Sequence, residues 1–381
     1  MTVDKGLARE LSVLLVVEQL RRSTPGGIGT YAAGLVSGMN AIDAEAIVAG
    51  SVPPRVTLYA SRRSPDPLSS LGRPLRGAFL PSRLLTRAWD REVMTAPSGY
   101  HLVHGISLAT PAPPRRGSCP VVITVHDLAW RRGRPTTKHG ARWHEAALER
   151  ALSRARAFVV PSLQVARDLV EAGASETTVT VIPEGCDHMS APDTAGALNL
   201  LSSLGVEGPY LLAASTLEPR KNLRRLLAAY GQARSTLSGL PPLVLAGPRG
   251  WGDPGLDTMG SGVVVVGRVP DPVLSALYRG AACFLYVSLS EGFGLPPLEA
   301  MACGVPVITS TTVPSVVEVH GEPPAVLVEP EDTDAICAAI VRVVQDGDLA
   351  ADLVRRGAEL ARQRTWASVA QGHVDLWKRL C

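Results

Sequence analysis

Short apolar runs alternate along this chain with longer stretches in which apolar residues recur every three or four positions. In the first half, the runs SVLLVV, VVITVHD, AFVVPS and TVTVIPEG have the composition of buried strands, and IGTYAAGLVSGMN and HEAALERALSRA have helical spacing. Strands that are apolar on both faces and alternate with amphipathic helices are typical of parallel sheets covered by helices. The pattern therefore predicts an α/β fold.

The same alternation begins again in the second half. There PYLLAAST, PLVLAG, VVVVGRV, CFLYVS and VPVITS are predicted strands, and NLRRLLAAYGQAR and DAICAAIVRVVQD are predicted helices. Between the halves, Ser190–Leu200 is rich in small and turn-forming residues, which favours a domain boundary. A chain of 381 residues also suits two domains. We therefore predict a domain over 1–190, a second over 201–365 and a terminal helix over 366–381.

Composition narrows the class of protein. Hydrophobic residues make up 46% of the chain and charged residues 19%, which is a globular composition and not a disordered one. No apolar run reaches the roughly 18 residues that span a bilayer, and Val13–Val17 is too short for a signal peptide. Six scattered cysteines without a C-x-x-C pair indicate free thiols in a reducing cytoplasm, not a disulfide framework or a zinc site.

Positive charge is concentrated in the first half of the chain. Residues 1–190 hold 23 of the 38 lysines and arginines but only 16 of the 35 acidic residues, and eight arginines lie between Arg55 and Glu92. A basic face of this kind attracts an anionic membrane or an anionic acceptor. The alternative is an ordinary solvated loop region, and the sequence does not decide between the two.

A glycine-rich segment, PGGIGTY (Pro25–Tyr31), follows the first predicted strand and opens a helix. Glycines let a backbone approach a phosphate closely, and N–H groups at a helix start bind it. A nicotinamide site would need G-x-G-x-x-G and an acidic residue closing the second strand, whereas the spacing here is imperfect and no such acid is evident. The segment is therefore either a phosphate-binding loop or a tight strand-to-helix turn.

Two basic residues follow the first predicted strand of the second half. STLEPRKNL (Ser215–Leu223) places Arg220 and Lys221 side by side at the start of a helix. Cations and backbone N–H groups in this position can hold a diphosphate. Adjacent basic residues are also common on protein surfaces, so this motif alone leaves both interpretations open.

Two glutamates form the sharpest motif. SEGFGLPPLEAMACGVPVI (Ser290–Ile308) places Glu291 and Glu299 eight residues apart around a Gly-Phe-Gly turn and a helix that begins with prolines. We expect Phe293–Leu295 to expose backbone N–H groups at the helix start and Glu299 to point to the same pocket. A carboxylate there accepts hydrogen bonds from sugar hydroxyls, so the motif predicts polyol recognition.

Together these motifs strongly resemble those of glycosyltransferase family 4. EGFGLPPLE followed by AMACGVPVI resembles the E-x7-E element of that family, and GGIGTY, TVHDLAW, VVPSLQVARDLV, VTVIPEGCD, TLEPRKNL and PLVLAGPRGW extend the resemblance over most of the chain. The resemblance implies the GT-B fold, in which two Rossmann-like domains face each other across a donor-binding cleft and the C-terminal helix crosses back to the first domain. It also implies a retaining, metal-independent hexosyltransferase. The TLEPRKN form looks most like bacterial enzymes that add mannose or similar sugars to polysaccharides and glycolipids.

The resemblance assigns roles to the charged residues of the second half. By position, Glu299 is expected to bind the ribose hydroxyls of the nucleotide, Glu291 to contact the sugar ring, and Lys221 to bind the diphosphate. The arginine that commonly sits five residues before that lysine is Thr216 here. Arg220 is therefore expected to take its place.

The remaining expected contacts come from both halves of the chain. Gly27 belongs to the loop that approaches the phosphate, and the N–H groups of Phe293–Leu295 are expected to stabilise the leaving diphosphate with it. His126 matches a histidine near the hydroxymethyl group of the sugar, and its alternative is a helix-capping or strand-end histidine. Asp127 beside it is either a cap or an acceptor contact.

The expected substrates follow from the same resemblance. We expect no cofactor and no metal, because the D-x-D at Asp332–Asp334 precedes a predicted helix and is explained by N-capping. The donor is a nucleotide-sugar, with GDP-mannose as the first expectation, and the acceptor is a glycan, a glycolipid or a small molecule. No nucleic-acid partner is expected. The predicted location is the cytoplasm, at the inner face of the membrane if the basic first domain contacts it.

Three other functions fit parts of the sequence. An NAD-dependent oxidoreductase would use the glycine segment, but it needs an acidic residue near position 50 and leaves Glu291 and Glu299 without a role. A sugar-nucleotide epimerase shares the GT-B fold and acts without an acceptor. A binding module without activity would have no need to keep Lys221 together with both glutamates.

Overall fold

The computed structural model of this chain describes residues 11–22, 26–115, 119–132, 141–252, 256 and 260–381. Pro25 of the glycine-rich segment therefore lies outside the described residues. Two parallel sheets with helices packed on them make up the described part. This confirms the predicted α/β fold of two domains.

The first domain is built on a sheet whose described strands follow the order β3-β2-β1-β4-β5-β6-β7, all parallel. The strand order reverses between β1 and β4, where an open α/β sheet has its binding crevice. The strands are β1 (Ser12–Val16), β2 (Arg55–Ser61), β3 (Leu75–Ala78), β4 (Leu102–Gly105), β5 (Val121–Thr124), β6 (Ala157–Val160) and β7 (Val179–Val181). The helices among them are α1 (Gly26–Val48), α2 (Ser82–Asp90), α3 (Arg142–Arg154) and α4 (Leu163–Glu171).

The second domain repeats this plan with the strand order β10-β9-β8-β11-β12-β13, also parallel. Its order reverses between β8 and β11. The elements in chain order are α5 (Thr194–Ser203), β8 (Leu211–Ala214), α6 (Leu223–Thr236), β9 (Leu243–Ala246), β10 (Val263–Gly267), α7 (Asp271–Gly280), β11 (Cys283–Tyr286), α8 (Leu295–Ala302), β12 (Val307–Ser310), α9 (Pro314–Val317), β13 (Val326–Val328), α10 (Thr333–Gln345), α11 (Gly347–Gln363) and α12 (Trp366–Leu380).

The segment between the two sheets is more ordered than its composition predicts. Ser190–Leu200 contains the first turns of α5, which begins after Asp193, whose side chain accepts a hydrogen bond from the backbone N–H of Gly196 at 2.9 Å. Ala197 and Leu201 of this helix are buried in the core of the second domain. The small residues of this segment therefore form a helix that packs on the second domain, and not an open linker.

The C-terminal helix α12 returns to the first domain and packs along α1, as predicted. The close approach depends on two glycines of α1. A Cβ atom on Gly34 would lie 2.1 Å from the ring of Trp366, and one on Gly38 would lie 2.0 Å from its carbonyl oxygen. Any larger side chain at these positions would push α12 away.

The interior agrees with the predicted pattern. All five residues of β1 and all four of β11 are buried, as expected of parallel strands covered on both faces. Each fully buried aliphatic side chain contributes about 1.5–3 kcal/mol to the free energy of unfolding. The six cysteines lie in the described part and are free thiols, as predicted. Within that part, no helix combines the length and apolarity needed to cross a membrane.

Candidate functional site

A cleft of about 740 Å³ lies between the two domains, at the carboxyl ends of both sheets. Residues at its wall from the first domain include Gly27, His126 and Glu184. The cleft brings together all the residues that the sequence predicted for a site, namely Gly27, His126, Arg220, Lys221, Glu291, Phe293, Gly294, Leu295 and Glu299. A larger, open groove between α6 and α10 contains none of them.

Glu291 is the centre of a compact charged cluster in this cleft. Its Oε1 accepts hydrogen bonds from Lys221 Nζ at 2.6 Å and from the Tyr286 hydroxyl at 2.9 Å. Its Oε2 accepts a hydrogen bond from Arg220 Nη1 at 2.7 Å. The Oε1 atom of Glu218 forms an ion pair with Nη2 of the same guanidinium at 3.1 Å. The glutamate thus holds both cations at fixed positions on the wall of the cleft.

Burial and the charge of the ion-pair partner shift the pKa values of Glu291 and Lys221 in opposite directions. Burial by itself would raise the pKa of Glu291, but Arg220 and Lys221 outweigh it and lower that pKa to about 2. Burial and the neighbouring Arg220 lower the pKa of Lys221, although Glu291 offsets part of the effect. Glu291 is therefore ionised at neutral pH, and its negative charge is what allows two cations to lie side by side in a buried place.

The positions of the two cations depend on Asn222, a residue without a predicted role. This residue has the left-handed backbone conformation (φ 60°) that asparagine tolerates better than most residues. Its side-chain amide donates to the carbonyl oxygens of Val287 at 3.0 Å and Pro330 at 2.6 Å. The turn that carries Arg220 and Lys221 is thereby joined to the end of β11. The only sequence signal was an Asn immediately before a helix.

Two glycines in the loop after Glu291 meet separate steric demands. A Cβ on Gly292 would lie 1.9 Å from the carbonyl oxygen of His126, so the two domains approach each other here without room for a side chain. Gly294 has φ 93°, and a Cβ there would lie 2.5 Å from Val313. It precedes α8, so the N-terminus of that helix, which favours anions, opens to the cleft. The predicted helix start at Phe293–Leu295 is in the cleft wall.

The domains also contact each other directly beside Gly292. The Ser162 hydroxyl of the first domain donates to the carbonyl oxygen of Gly292 at 2.7 Å. The carboxylate of Glu318, from the second domain, accepts the backbone N–H groups of Leu163 and Gln164 at 2.6 and 2.8 Å. These bonds join the first turn of α4 to the second domain along one edge of the cleft.

Glu299 lies on α8 and is held from two sides. Its Oε2 accepts a hydrogen bond from the Tyr278 hydroxyl at 2.9 Å, and its Oε1 lies 3.1 Å from His188 Nε2. Its side chain is 13% exposed, so it is partly open to the cleft. Neither Tyr278 nor His188 was predicted, since an isolated tyrosine in a helix and a histidine in a loop have no distinctive pattern.

His126 follows β5 and is fixed in orientation. Its Nε2 lies 2.9 Å from the carbonyl oxygen of Ile106, its Nδ1 lies 3.4 Å from Glu184, and the ring of Tyr31 packs edge-on at 4.6 Å. Gly27, in the first turn of α1, is exposed, and no atom would obstruct a Cβ there. Both residues are therefore at the wall of the cleft, opposite the charged cluster of the second domain.

Two protein-family models match the chain one after the other. The model "Glycosyltransferase Family 4" matches residues 25–189, and "Glycosyl transferases group 1" matches residues 208–346. Among characterised relatives, the chain is 40% identical over 177 residues to O-antigen chain mannosyltransferase B of Escherichia coli, which covers 45% of this chain and 46% of that protein. It is 26% identical over 310 residues to D-inositol 3-phosphate glycosyltransferase of Nocardiopsis dassonvillei, which covers 75% and 72%.

These matches differ in extent. The chain spans less than half of the length of O-antigen chain mannosyltransferase B and of the serotype-specific mannosyltransferase WbdA, both of Escherichia coli. Solved structures match nearly its whole length: sucrose-phosphate synthase of Thermosynechococcus elongatus has a TM-score of 0.73 at 20% identity and covers 97% of this chain and 99% of its own. Anabaena HepE in complex with UDP-glucose has a TM-score of 0.70 at 17% identity and covers 97% and 100%. At such identities the likeness concerns the fold.

Proposed function

The chain belongs to the group 1 glycosyltransferases of family 4, and from that premise we propose that it transfers a hexose from a nucleotide-sugar to a glycan, glycolipid or small-molecule acceptor. The observation that carries the proposal is the meeting of Arg220, Lys221, Glu291 and Glu299 in one cleft lined by both domains. Two cations can bind a diphosphate, and the carboxylate of Glu299 on α8 can accept hydrogen bonds from the hydroxyls of a ribose.

The arrangement favours departure of a charged leaving group. Breaking the anomeric bond leaves negative charge on the diphosphate, and Arg220, Lys221 and the N-terminus of α8 are in place before the reaction to stabilise it. We propose that the new bond forms on the same face of the sugar, with retention of configuration and without a metal ion. His126 and Glu184, across the cleft, are then placed near the sugar.

GDP-mannose is the donor that we propose first. The names of two relatives, O-antigen chain mannosyltransferase B and the serotype-specific mannosyltransferase WbdA, support mannose, whereas a solved structure of the same fold holds UDP-glucose. The base would contact the second domain, where Thr216, Gly247, Pro248 and Arg268 line the same cleft. Their chemistry does not select one base, so the donor is the first quantity to measure.

We expect one nucleotide-sugar to raise the unfolding temperature of the purified protein. A ligand at about 100-fold over its dissociation constant adds roughly 2.7 kcal/mol to the free energy of unfolding. The panel holds GDP-mannose, UDP-glucose, UDP-galactose, UDP-N-acetylglucosamine and NAD, each without acceptor. We expect GDP-mannose to give the largest shift and Glu299→Gln and Lys221→Ala to remove most of it.

Glu322→Gln is the matched control for that experiment. Glu322 is an exposed carboxylate of the second domain whose side chain is 80% exposed, so its loss should leave every shift unchanged. A shift with NAD and with no nucleotide-sugar would contradict the transferase and support a dehydrogenase. Conversion of the donor to a second nucleotide-sugar, without transfer, would support the epimerase.

We further propose that the first domain contacts an anionic membrane through the exposed face of α2. Arg87 lies one helical turn from both Arg83 and Leu84, so the three line this face, and all three are exposed. Phe79 and Val93, just before and after the helix, are 79% and 77% exposed. Apolar side chains among arginines are typical of surfaces that enter the headgroup layer of a bilayer.

The membrane contact is tested with Arg83→Gln/Arg87→Gln. Each basic residue near an anionic surface contributes about 1 kcal/mol, so the double variant is expected to bind vesicles of 70% phosphatidylcholine and 30% phosphatidylglycerol roughly 30-fold more weakly. Co-sedimentation measures the binding. Arg355→Gln/Arg362→Gln removes the same charge from α11, where both side chains are 72% exposed, and should change little. Equal losses in both variants would indicate a non-specific effect of net charge.

A further inference from the structure

Two short segments connect the domains, and they lie against each other. Residues 182–193 run from β7 to α5, and residues 364–365 run from α11 to α12. The backbone N–H of Cys186 donates to the carbonyl oxygen of Arg364 at 2.9 Å, and that of Trp366 donates to Asp187 Oδ1 at 2.7 Å. A Cβ on Gly185 would lie 2.6 Å from the nitrogen of Trp366. Any rotation of one domain against the other must therefore bend this pair of segments.

His188, in the first of these segments, has a defined tautomer. The indole nitrogen of Trp366 is only a donor, and it donates to His188 Nδ1 at 3.2 Å. The proton of the neutral imidazole must then be on Nε2, which donates to Glu299 Oε1 at 3.1 Å. Trp366 belongs to α12 and is packed on the first domain, whereas Glu299 belongs to the second. His188 thus connects a helix of one domain to a carboxylate of the other.

The carboxylate of Glu299 keeps capacity for a ligand while it is held. Each of its oxygens has two lone pairs, of which His188 uses one on Oε1 and Tyr278 uses one on Oε2. One acceptor position on each oxygen is left, which is the number that a ribose diol with its two hydroxyl donors requires. His188 and Tyr278 therefore fix the rotation of the carboxylate without competing for the ligand.

We propose that His188 is a positioning residue that orients Glu299 for the ribose of the donor and couples donor binding to closure of the two domains. The proposal rests on the nucleotide-sugar site above and deepens it. When the domains move about the connecting segments, Trp366 moves with the first domain, so the bond from His188 to Glu299 changes with the angle between domains. By linkage, a donor that favours the held form of Glu299 favours the closed arrangement equally.

The test compares His188→Leu with His188→Gln. Leucine removes both hydrogen bonds, and we expect it to raise the dissociation constant of the best donor of the panel about ten-fold, with the rate at saturating donor within about three-fold of the wild type. Glutamine can accept from Trp366 with its oxygen and donate to Glu299 with its nitrogen, so it should restore the dissociation constant to within about three-fold. Small-angle scattering should show donor-induced compaction in the wild type and a smaller one in H188L.

The controls separate this inference from the proposed function. His320→Leu removes an exposed histidine of the second domain and should leave the dissociation constant unchanged. Tyr278→Phe removes the bond to the other oxygen and is expected to weaken binding similarly, which tests separately whether a fixed carboxylate matters for the donor. Donor binding by H188L equal to the wild type, or no recovery in H188Q, would overturn the positioning role alone. A wild-type protein that binds no nucleotide-sugar would overturn both proposals.

Discussion

Replacement of Glu291 by Gln is expected to lower the rate of sugar transfer by about 10²–10³-fold and the free energy of unfolding by about 3–5 kcal/mol. Glutamine keeps the shape of the side chain but removes the charge that holds Arg220 and Lys221 at 2.7 and 2.6 Å. Two buried cations would then repel each other, and both would lose the ion pair that positions them for the diphosphate, although Glu218 would still contact Arg220. Release of nucleoside diphosphate from the donor and urea denaturation measure the two effects.

The E291Q variant also distinguishes two roles of the charged cluster, namely catalysis of sugar transfer and binding of the diphosphate. A nucleoside diphosphate brings negative charge to the place where the carboxylate charge is missing, so it should stabilise the E291Q protein at least as much as the wild type. Glu218→Gln is the matched control, since the Glu218 carboxylate pairs with the Arg220 guanidinium whereas Glu291 pairs with both cations, and its effects should be several-fold smaller. Wild-type transfer by E291Q would exclude Glu291 from the reaction. Loss of diphosphate binding would mean that Glu291 also positions the phosphate.

A second large effect is expected from a chain of hydrogen bonds under the cleft. Trp377 donates to His104 Nδ1 at 3.1 Å, so the other nitrogen of His104 donates to the Thr124 hydroxyl at 2.9 Å. His373 Nδ1 donates to the carbonyl oxygen of Val369 at 2.8 Å, so its Nε2 accepts from the Tyr31 hydroxyl at 2.8 Å. Both imidazoles are completely buried and satisfied in their neutral form. The chain joins α12 to the core of the first domain.

These two histidines should make the protein sensitive to mild acid. Burial lowers the pKa of His373 to about 4 and holds that of His104 well below its ordinary 6.5. The unfolded chain takes up protons near pH 6.5 that the folded chain refuses, so stability is complete above this pH and is lost as the pH falls towards 4. Between pH 7.5 and 5.0 each histidine is expected to cost about 2 kcal/mol, or roughly 4 kcal/mol together.

Urea denaturation at the two pH values measures this loss. His373→Gln is expected to reduce the difference between the two pH values by about half, whatever its effect on stability at pH 7.5. His320→Gln is the matched control, because His320 is an exposed histidine of the second domain. The carboxylate of Glu291 does not interfere, since its pKa of about 2 places its contribution below pH 4.5. An unchanged difference in H373Q would show that the folded protein accepts the proton.

The pattern of apolar runs was sufficient to predict the fold. Strands such as β1 and β11 are almost entirely apolar, as is typical of strands buried on both faces of a parallel sheet. The boundary between the domains was less predictable. Ala197 and Leu201 have the small and apolar character of a linker or of a helix, and only their contact with the second core decides between the two.

The site was predictable where a motif orders residues along the chain. Glu291, Glu299, Arg220 and Lys221 lie in motifs with defined spacing, and the structure places them together. Tyr286 and His188 were not predictable, because their importance comes from contacts with residues far away in the sequence. His188 and Glu299 are 111 positions apart in the sequence, so no local sequence pattern indicates their contact.

The return of α12 to the first domain affects the order in which the chain can fold during synthesis. The second domain is continuous from α5 to α11, whereas the core of the first includes Trp366, Val369, Val374 and Trp377. The domain that is translated first therefore cannot complete its interior until the chain has been made as far as α12. Domains usually fold in the order of their synthesis, and here the later domain is the first to be complete. Until then the face of α1 that α12 covers is exposed, and a chaperone that binds apolar surfaces can bind it.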